Sequence, residues 1–310
     1  MGGKSKKMSR KKKWLLIIGI VFGILLLGIG IYAYLIYSSL TSAVDTMHKP
    51  IERKVSEKRE EQVTLEQKDP FSVLMLGVDE REGDKGRSDT MIVLTVNPKL
   101  NSIKMVSIPR DTRTEIIGHG TVDKINHAYA FGGEKMSMDT IEHFLDIPID
   151  YYVKINMEGF KDIVDAVGGI TVNSDKAFSQ DGFHFNKGSN TLNGVEALSY
   201  VRMRKQDPSG DYGRQLRQRQ VIQGVIDKGA SFSSLTRFGD IFNALGKNIN
   251  TNLTFSEMVD IQKNYKDTRK NIEQIQLKGE GKYINNISYQ IIPEKEQKRV
   301  QNELKEHLEL

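Results

Sequence analysis

Three near-continuous apolar runs lie close together in the first third of the chain. They cover Phe71 to Asp79 (FSVLMLGVD), Thr90 to Val96 (TMIVLTV) and Ile103 to Ile108 (IKMVSI). Such runs are typical of strands buried on both faces, although a short buried helix can give the same pattern. The turn sequence NPKLN separates the second run from the third, so these two strands are predicted to be antiparallel.

The following segments alternate between helical and strand patterns. Asp139 to Phe144 indicates a helix, Tyr151 to Ile155 a strand, Gly159 to Val167 a helix, and Ile170 to Val172 another strand. Strand, helix and strand in this order favour an α/β fold with helices on both faces of a sheet. We therefore predict a three-layer α/β/α sandwich with a central mixed β-sheet.

The part of the chain after residue 230 is expected to complete the sheet and its cover. TFSE (Thr254 to Glu257) is a capping box that opens a helix reaching about Lys266. The segment QIQLKGEGKYINNISYQII is predicted to form a hairpin, and PEKEQKRVQNELKEHLEL a charged surface helix.

The longest apolar run is Trp14 to Tyr37, which has 24 residues and no charge. About 20 apolar residues in a helix suffice to cross a membrane. A buried core helix and a cleaved signal peptide are the alternatives, but the apolar region of a signal peptide is usually only ~7–15 residues long. We predict that the fold is preceded by one uncleaved N-terminal transmembrane helix.

Charge indicates the orientation of this helix. Seven basic residues precede it, which places residues 1–13 in the cytoplasm and the rest of the chain outside. Residues 38–68 form a predicted polar linker, and the folded domain is expected to span 69–310.

Composition then narrows the function classes. The net charge is +5, but the seven basic residues before the span leave 38 basic against 40 acidic residues, a sum of −2. The exported part therefore lacks the basic field of a nucleic-acid-binding protein, and we expect no nucleic-acid partner. The absence of cysteine excludes disulfides, thiolate catalysis and thiolate metal sites.

Charged residues cluster at the ends of the first three predicted strands. If the first strand also pairs antiparallel with the second, one sheet edge collects Asp79, Arg81, Arg87, Asp89, Arg110 and Asp111. Two carboxylates can share Mg²⁺, which leaves coordination positions for phosphate oxygens. Arginines bind the same oxygens through bidentate hydrogen bonds. This edge is a candidate phosphate site, although each charge alone could equally be a solvated loop residue.

A second cationic cluster is the segment YVRMRKQDPSGDYGRQLRQRQ, residues 200–220. In an extended RMR, Arg202 and Arg204 would point to the same side. The next helix would present Arg214, Arg217 and Gln218 on one face of its first turns, with Asp211 as its cap or as a partner of an arginine. A helix start flanked by guanidinium groups is a site for an anion. Lys205 and Arg219 are expected to be solvent-exposed charges.

Five sequence blocks, taken in order, resemble the LytR-CpsA-Psr family of bacterial cell-envelope proteins, and within it the wall teichoic acid ligases. The blocks are LGVDERE with GRSDTMIVLTVNP, then SIPRDTR, KINHAYAFGG, VDAVGGITV and LNGVEALSYVRMRKQDPSGDYGRQLRQRQ. The resemblance runs from about Asp69 to Gly229. It implies an extracytoplasmic catalytic domain with a central sheet, a hydrophobic pocket for a prenyl chain, and a pyrophosphate site with Mg²⁺, or alternatively Mn²⁺, at the mouth.

The implied activity is that of a phosphotransferase. It would move a glycopolymer, with wall teichoic acid the expected one, from a polyprenyl pyrophosphate carrier to muramic acid of peptidoglycan. The implied location is the cell membrane of a Gram-positive type envelope, as a single-pass type II protein.

The resemblance also implies roles for individual residues. Asp79 and Asp89 match the metal ligands. The residues that match the pyrophosphate-lining positions are Arg87, Arg110, Arg202, Arg204, Arg214 and Gln218. Asp211, Arg81 and Arg217 are supporting candidates, and Lys124 and Asn126 match a block without an assigned role.

Asp89 and Arg110 are the predicted catalytic residues, with Asp89 as the candidate base and Asp111 as an alternative base. Two rival functions use the same residues. One is a regulatory protein that binds polyprenyl phosphates without turnover, and the other is a pyrophosphatase that uses water as the nucleophile.

Overall fold

The computed structural model describes residues 10–52, 55–80, 86–204, 206–229, 246 and 248–310. These residues contain seven α-helices and fourteen strands. The helices are α1 (Arg10–Met47), α2 (His127–Leu145), α3 (Met157–Ala166), α4 (Gly194–Arg202), α5 (Asp211–Gly229), α6 (Phe255–Asn264) and α7 (Glu294–Leu308). The strands are β1 (Phe71–Val78), β2 (Ser88–Asn97), β3 (Ser102–Ser107), β4 (Arg113–Ile116), β5 (Thr121–Lys124), β6 (Tyr151–Asn156), β7 (Ile170–Ser174), β8 (Phe178–Gln180), β9 (Phe183–Phe185), β10 (Gly188–Leu192), β11 (Ile249–Thr251), β12 (Ile272–Gln276), β13 (Glu280–Ile284) and β14 (Ile287–Ile291).

The central sheet has six strands in the order β11-β6-β1-β2-β3-β12. β1 and β3 both pair antiparallel with β2, while β6 pairs parallel with β1 and β12 parallel with β3. The sheet is therefore mixed, as predicted. The predicted antiparallel pairing of the second and third apolar strands is confirmed, and the first strand also pairs antiparallel with the second.

Helices cover both faces of this sheet. Leu74 and Leu76 of β1 belong to a core that includes α2 and α7, represented by Ile141 and Leu304. Val73 belongs to a second core on the opposite face, against which side chains of α5 and α6 pack. Because successive side chains of a strand point to opposite faces, both faces of β1 can be apolar only if each is covered. This accounts for the near-continuous apolar run at Phe71–Val78.

Two sequence predictions need correction. The hairpin predicted across QIQLKGEGKYINNISYQII is formed only by β13 and β14, because β12 joins the central sheet beside β3. Arg202 is not part of an extended RMR. It is the last residue of α4, which begins with a capping box formed by Asn193 and Glu196.

The segment before the sheet is packed against the domain. Val44 and Met47 of α1 are buried with Ile249, and the Lys49 backbone N–H donates to the Thr251 carbonyl at 2.8 Å. Farther along, the Arg59 guanidinium pairs with Asp150, with 2.7 Å between Nε and Oδ1. The predicted linker at 38–68 is thus in contact with the domain over much of its length.

No helix among the residues described is both long and apolar enough to cross a membrane. The anchor at Trp14–Tyr37 and the domain boundaries stay predictions. Residues 1–9 of the predicted cytoplasmic tail lie outside the described residues.

Candidate active site

A β-bulge positions the central carboxylate of the site. Gly77 pairs with Thr90 and Val78 pairs with Ser88, so Asp89 is an extra residue in β2. A bulge of this kind redirects a side chain at the end of a sheet. Gly86 closes the connection that leads into β2, with φ +68°, and a Cβ there would lie 2.6 Å from the Asp79 carbonyl oxygen. Only glycine fits this close approach, which brings the backbone of Asp79 beside the start of β2.

Arg110 joins this edge from the loop after β3. Its Nη1 donates to Asp89 Oδ1 at 2.6 Å, and its Nε lies 3.7 Å from Asp111 Oδ2. Burial acts to lower the pKa of Arg110, but the hydrogen bond to Asp89 and the charges of Asp111 and Asp211 raise it overall. Arg110 is therefore firmly cationic. The expected convergence of strand ends is confirmed for Asp89 and Arg110.

The N-terminal turn of α5 supplies a second cation. Arg214 Nη2 lies 2.5 Å from Asp211 Oδ1. Burial lowers the pKa of Arg214, and the positive charges of Arg110 and Arg204 lower it further, against the attraction of Asp211. Arg214 is thus close enough to Arg110 and Arg204 to be repelled by both. An anion bound among them would relieve this repulsion.

An apolar cavity of about 260 Å³ opens beside these charges. Its wall is formed by β1, β2, β6, α3, α4 and α5. The side chains and backbone that line it are Met75, Leu76, Gly77, Val78, Ile155, Asn156, Met157, Phe160, Leu198, Val201 and Ile222, with Asp89, Thr90, Arg202, Arg214 and Gln218 as the polar members. The cavity is suited to an apolar chain that ends in an anionic group.

The other residues predicted to line the pyrophosphate site differ in how far they are exposed to solvent. Gln218 lines the cavity and donates through Nε2 to Thr90 Oγ1 at 2.7 Å, so it ties α5 to β2. Arg87 and Arg204 are exposed, and Arg202 is an exposed residue that also lines the cavity. Arg81 lies outside the described residues.

Arg217 does not line the cavity with Arg214 and Gln218, in contrast to its predicted place on the same helix face. Only 3% of its side chain is exposed, and its Nη1 donates to Asp207 Oδ2 at 2.7 Å. The physical reason is the helical repeat: Gln218 is rotated about 40° from Arg214 in one direction, and Arg217 about 60° in the other.

Asp207 is a residue that the sequence analysis missed. Lys176 also contacts it, with 2.8 Å between Nζ and Oδ1, and the backbone N–H of Ser209 donates to it at 2.9 Å. Burial acts to raise the pKa of Asp207, but its hydrogen bonds to Lys176 and Arg217 lower it to about 2. This carboxylate holds the loop between α4 and α5, which carries Arg204. A DPSG sequence signals only a turn, so nothing in the pattern distinguished Asp207.

Arg219 was predicted to be a solvent-exposed charge, and that prediction is wrong. It is 5% exposed, and it donates from Nε to Gln274 Oε1 at 3.0 Å and from Nη1 to Ser107 Oγ at 2.8 Å. Burial lowers its pKa to about 10. It connects α5 to β3 and β12, whereas Lys205 lies outside the described residues.

The block that contains Lys124 and Asn126 supports the Arg110 loop. Lys124 Nζ lies 2.8 Å from Asp111 Oδ1, and the backbone N–H of Asn126 donates to the Arg110 carbonyl at 3.3 Å. The Ile125 N–H donates to the Thr112 carbonyl at 2.8 Å. This ion pair and these hydrogen bonds hold the backbone of the loop that contains Arg110 in place.

Two carboxylates of this edge have the chemistry of a magnesium site. Val78 and Ser88 are paired in the sheet, and each aspartate is the next residue after one of them, Asp79 after Val78 and Asp89 after Ser88. Both aspartates therefore lie at the same end of the β1–β2 pair. Within the described residues there is no group of three or more His, Asp or Glu able to hold a metal. Mg²⁺ commonly uses one or two carboxylates and takes its other ligands from phosphates and water, so Asp79 and Asp89 fit this ion.

Comparison with known sequences gives a consistent result over almost the whole chain. The sequence profile of the LytR_cpsA_psr family matches residues 34–306. The polyisoprenyl-teichoic acid--peptidoglycan teichoic acid transferase TagU of Bacillus subtilis (strain 168) is 57% identical over 306 residues, which cover 99% of this chain and 99% of the relative.

Solved structures resemble this fold as well. The crystal structure of B. subtilis TagU has 58% sequence identity and a TM-score of 0.65, covering 78% of this chain and 98% of that one. The LytR-CPS2A-psr family protein YwtF (TagT) with bound octaprenyl pyrophosphate lipid has 31% identity and a TM-score of 0.69. It covers 85% of this chain and 100% of its own. These structures support the α/β fold with a central mixed sheet.

Proposed function

Since this chain belongs to the LytR-CpsA-Psr family, we propose that it transfers teichoic acid from a polyisoprenyl pyrophosphate carrier to peptidoglycan, as its relatives' names describe. One observation carries the proposal. Arg202 and Arg214 line an apolar cavity together with Asp89, and Arg110 binds Asp89 at 2.6 Å, which is the arrangement expected for a lipid with a pyrophosphate head.

The donor would bind in two parts. The prenyl chain lies in the cavity against apolar side chains such as Phe160, Leu198 and Ile222. The pyrophosphate lies at the mouth among Arg87, Arg110, Arg202, Arg204 and Arg214. Arginine suits this role because its planar fork forms two parallel hydrogen bonds to phosphate oxygens.

The proposed step is a phosphoryl transfer. A muramic acid hydroxyl oxygen forms a bond to the glycan-side phosphorus, and the bond from that phosphorus to the bridging oxygen breaks. Polyprenyl phosphate leaves with the bridging oxygen and its electron pair. The hydroxyl proton passes to Asp89, which Arg110 holds in place at 2.6 Å. Such reactions depend mainly on positioning and charge stabilisation, which the arginines provide.

Asp79 and Asp89 are the proposed magnesium ligands, with Asp211 in support through its ion pair with Arg214. When bound, Mg²⁺ supplies additional positive charge to the pyrophosphate oxygens. Gln218 contributes by keeping Thr90 and the adjacent bulge in position. Arg217 and Asp207 act indirectly, by holding the loop that carries Arg204.

We also propose that Trp14–Tyr37 anchors the protein in the cell membrane with the domain outside. The basis is the uncharged sequence of this segment and the seven basic residues that precede it. The domain would then lie next to the outer surface of the membrane that holds the prenyl chain of the donor.

The test is a reconstituted transfer reaction. Full-length protein in detergent is incubated with lipid-linked polymer, Mg²⁺ and a glycan acceptor, and the joined product is measured. Arg110→Ala is expected to reduce transfer at least ~100-fold, as for the loss of one charge-stabilising donor. Arg299→Ala, in a surface ion pair on α7, is the matched control and should retain full activity.

The products also separate the rival functions. Release of polyprenyl phosphate and hydrolysed polymer, without a joined product, would identify a pyrophosphatase. Retention of the donor without any product would identify a binding protein. Full transfer by Arg110→Ala would refute the proposed site.

A further inference from the structure

The hairpin of β13 and β14 projects beside the candidate active site. Its strands pair from Glu280 with Ile291 to Ile284 with Ile287, and Asn285 and Asn286 form the turn with φ values of 50° and 64°. Two central residues with positive φ give a type I′ turn, whose twist matches that of the strands. The hairpin therefore has a fixed register and presents each side chain to a defined face.

One face of this hairpin packs on the domain. Tyr289 is 7% exposed and its hydroxyl donates to Asp123 Oδ1 at 3.2 Å. The guanidinium carbon of Arg113 lies 5.8 Å from the centre of the Tyr289 ring. Lys282 pairs with Tyr289 and belongs to the same face.

The opposite face carries Gly281, Tyr283, Ser288 and Gln290, because Gly281 pairs with Gln290 and Tyr283 with Ser288. Tyr283 is 77% exposed. A Cβ added to Gly281 would have no atom within 4 Å in the part of the chain that the structure describes. Among the described residues nothing covers this face beside the exposed aromatic ring.

This open face is continuous with the candidate active site. The Gln290 backbone N–H donates to the Asp111 carbonyl at 2.8 Å, and Gln290 Nε2 donates to the Tyr212 hydroxyl at 2.9 Å. Tyr212 follows Asp211 in the first turn of α5. Tyr283 lies one pleat repeat beyond Gln290 on the same face, which corresponds to about 7 Å.

We propose that this face, with Tyr283 as its platform, binds the glycan strand of the acceptor. The inference rests on the transfer reaction proposed above. In that reaction the donor's prenyl chain would occupy the cavity formed by β1, β2, β6, α3, α4 and α5, so the acceptor would approach the arginines from another direction. The hairpin borders the Asp111 and Tyr212 side of the site.

The chemistry of the face suits a sugar polymer. An exposed tyrosine offers a flat apolar ring that can stack on the C–H face of a pyranose, together with a polar hydroxyl at its edge. The open space over Gly281 leaves room for the next sugar between Tyr283 and the active site. Ser288 and Gln290 add hydrogen-bonding groups along the same line.

The experiment compares Tyr283→Ala with Tyr283→Trp in full-length protein. With donor and Mg²⁺ saturating, the KM for a soluble peptidoglycan oligomer should rise about tenfold in Tyr283→Ala, the loss of one aromatic contact. Its kcat and its KM for the donor should not change. Tyr283→Trp, which retains the ring, should stay within about twofold of the wild type.

Two further variants sharpen the result. Gly281→Val should raise the acceptor KM as well, because its side chain fills the open space. Leu100→Ala is the matched control: Leu100 is 58% exposed in the β2–β3 turn, at the far end of the sheet. An unchanged acceptor KM in Tyr283→Ala would overturn the inference, and so would an increase in the donor KM instead.

Direct binding separates this inference from the proposed function. A fluorescent peptidoglycan oligomer is titrated with full-length protein in detergent, without donor, and polarisation is recorded. If the wild type produces no transfer product, the proposed function fails, while weaker oligomer binding by Tyr283→Ala than by Leu100→Ala would still support the binding face. If Tyr283→Ala binds the oligomer as tightly as wild type, the binding face is refuted even when transfer proceeds.

Discussion

Removal of the Asp207 carboxylate tests how the loop between α4 and α5, which carries Arg204, is held in place. Its side chain is 1% exposed and is paired with Arg217, of which 3% is exposed, and with Lys176. Its pKa is about 2, against an ordinary value of 3.8. This difference corresponds to roughly 2.5 kcal/mol of stability at neutral pH. That contribution is complete above pH 4 and disappears as the pH falls towards 2, because the unfolded chain binds the proton first.

Asp207→Ala should cost more than this amount. It leaves the Arg217 charge buried without a counter-charge, for which the usual cost is about 3–5 kcal/mol. Asp207→Asn retains the shape and one hydrogen-bond acceptor but also removes the counter-charge, so it should lose at least roughly 2.5 kcal/mol and less than Asp207→Ala. Urea unfolding of the full-length chain, followed by circular dichroism, measures both values. Donor binding should weaken too, because Arg204 lies in the loop that Asp207 holds.

A second substitution distinguishes the ion pair from packing. In Asp207→Ala with Arg217→Met the buried Arg217 charge is gone and only the Lys176 charge, on a side chain that is 28% exposed, loses its partner, so most of the lost stability should return. The control is Glu158→Ala, since Glu158 is 66% exposed in its pair with Lys161 and should change stability by less than about 0.5 kcal/mol. An unchanged unfolding midpoint in Asp207→Ala, or purely additive losses in the double variant, would refute this account.

Three further predictions concern the cavity, the metal and the C-terminal helix. Ile222→Trp should narrow the cavity and lower kcat/KM at least ~10-fold for long prenyl donors but much less for short ones, with Ile222→Leu as control; equal losses would contradict the cavity assignment. Asp79→Asn should raise the Mg²⁺ concentration for half-maximal activity at least ~10-fold, as measured by Mg²⁺ titration after treatment with a chelator; an unchanged titration would exclude Asp79 as a ligand. His307 is buried between Thr95 and Ser102, and burial lowers its pKa to about 4. Stability should therefore fall by about 3 kcal/mol between pH 6.5 and 4, where the unfolded chain binds the proton and the folded chain does not, and His307→Gln should flatten this dependence in urea titrations.

Local patterns predicted the first three strands and part of the site because they depend on short-range rules. Uninterrupted apolar runs marked β1, β2 and β3, and antiparallel pairing then brought Asp89 and Arg110 together. The capping box at Thr254 likewise fixed the start of α6.

The predictions failed where packing between residues distant in sequence determines burial or strand pairing. Arg219 carries a full charge in a polar sequence, yet tertiary contacts with Ser107 and Gln274 place it in the interior. The position of Asp207 depends on Lys176, which is distant in sequence. β12 has the pattern of a hairpin strand but pairs with β3, which no local signal reveals.

The β-bulge at Asp89 means that the reactive geometry depends on the number of residues in β2 as well as on their identity. With one residue deleted at Ser88, regular pairing would continue past Thr90, and the Asp89 side chain would alternate to the other face of the sheet. No amino-acid substitution elsewhere in β2 restores the lost residue. The position of the carboxylate is therefore sensitive to a one-residue insertion or deletion in β2 as well as to substitution of Asp89, and a divergent relative with one residue fewer here would retain the fold but not the site.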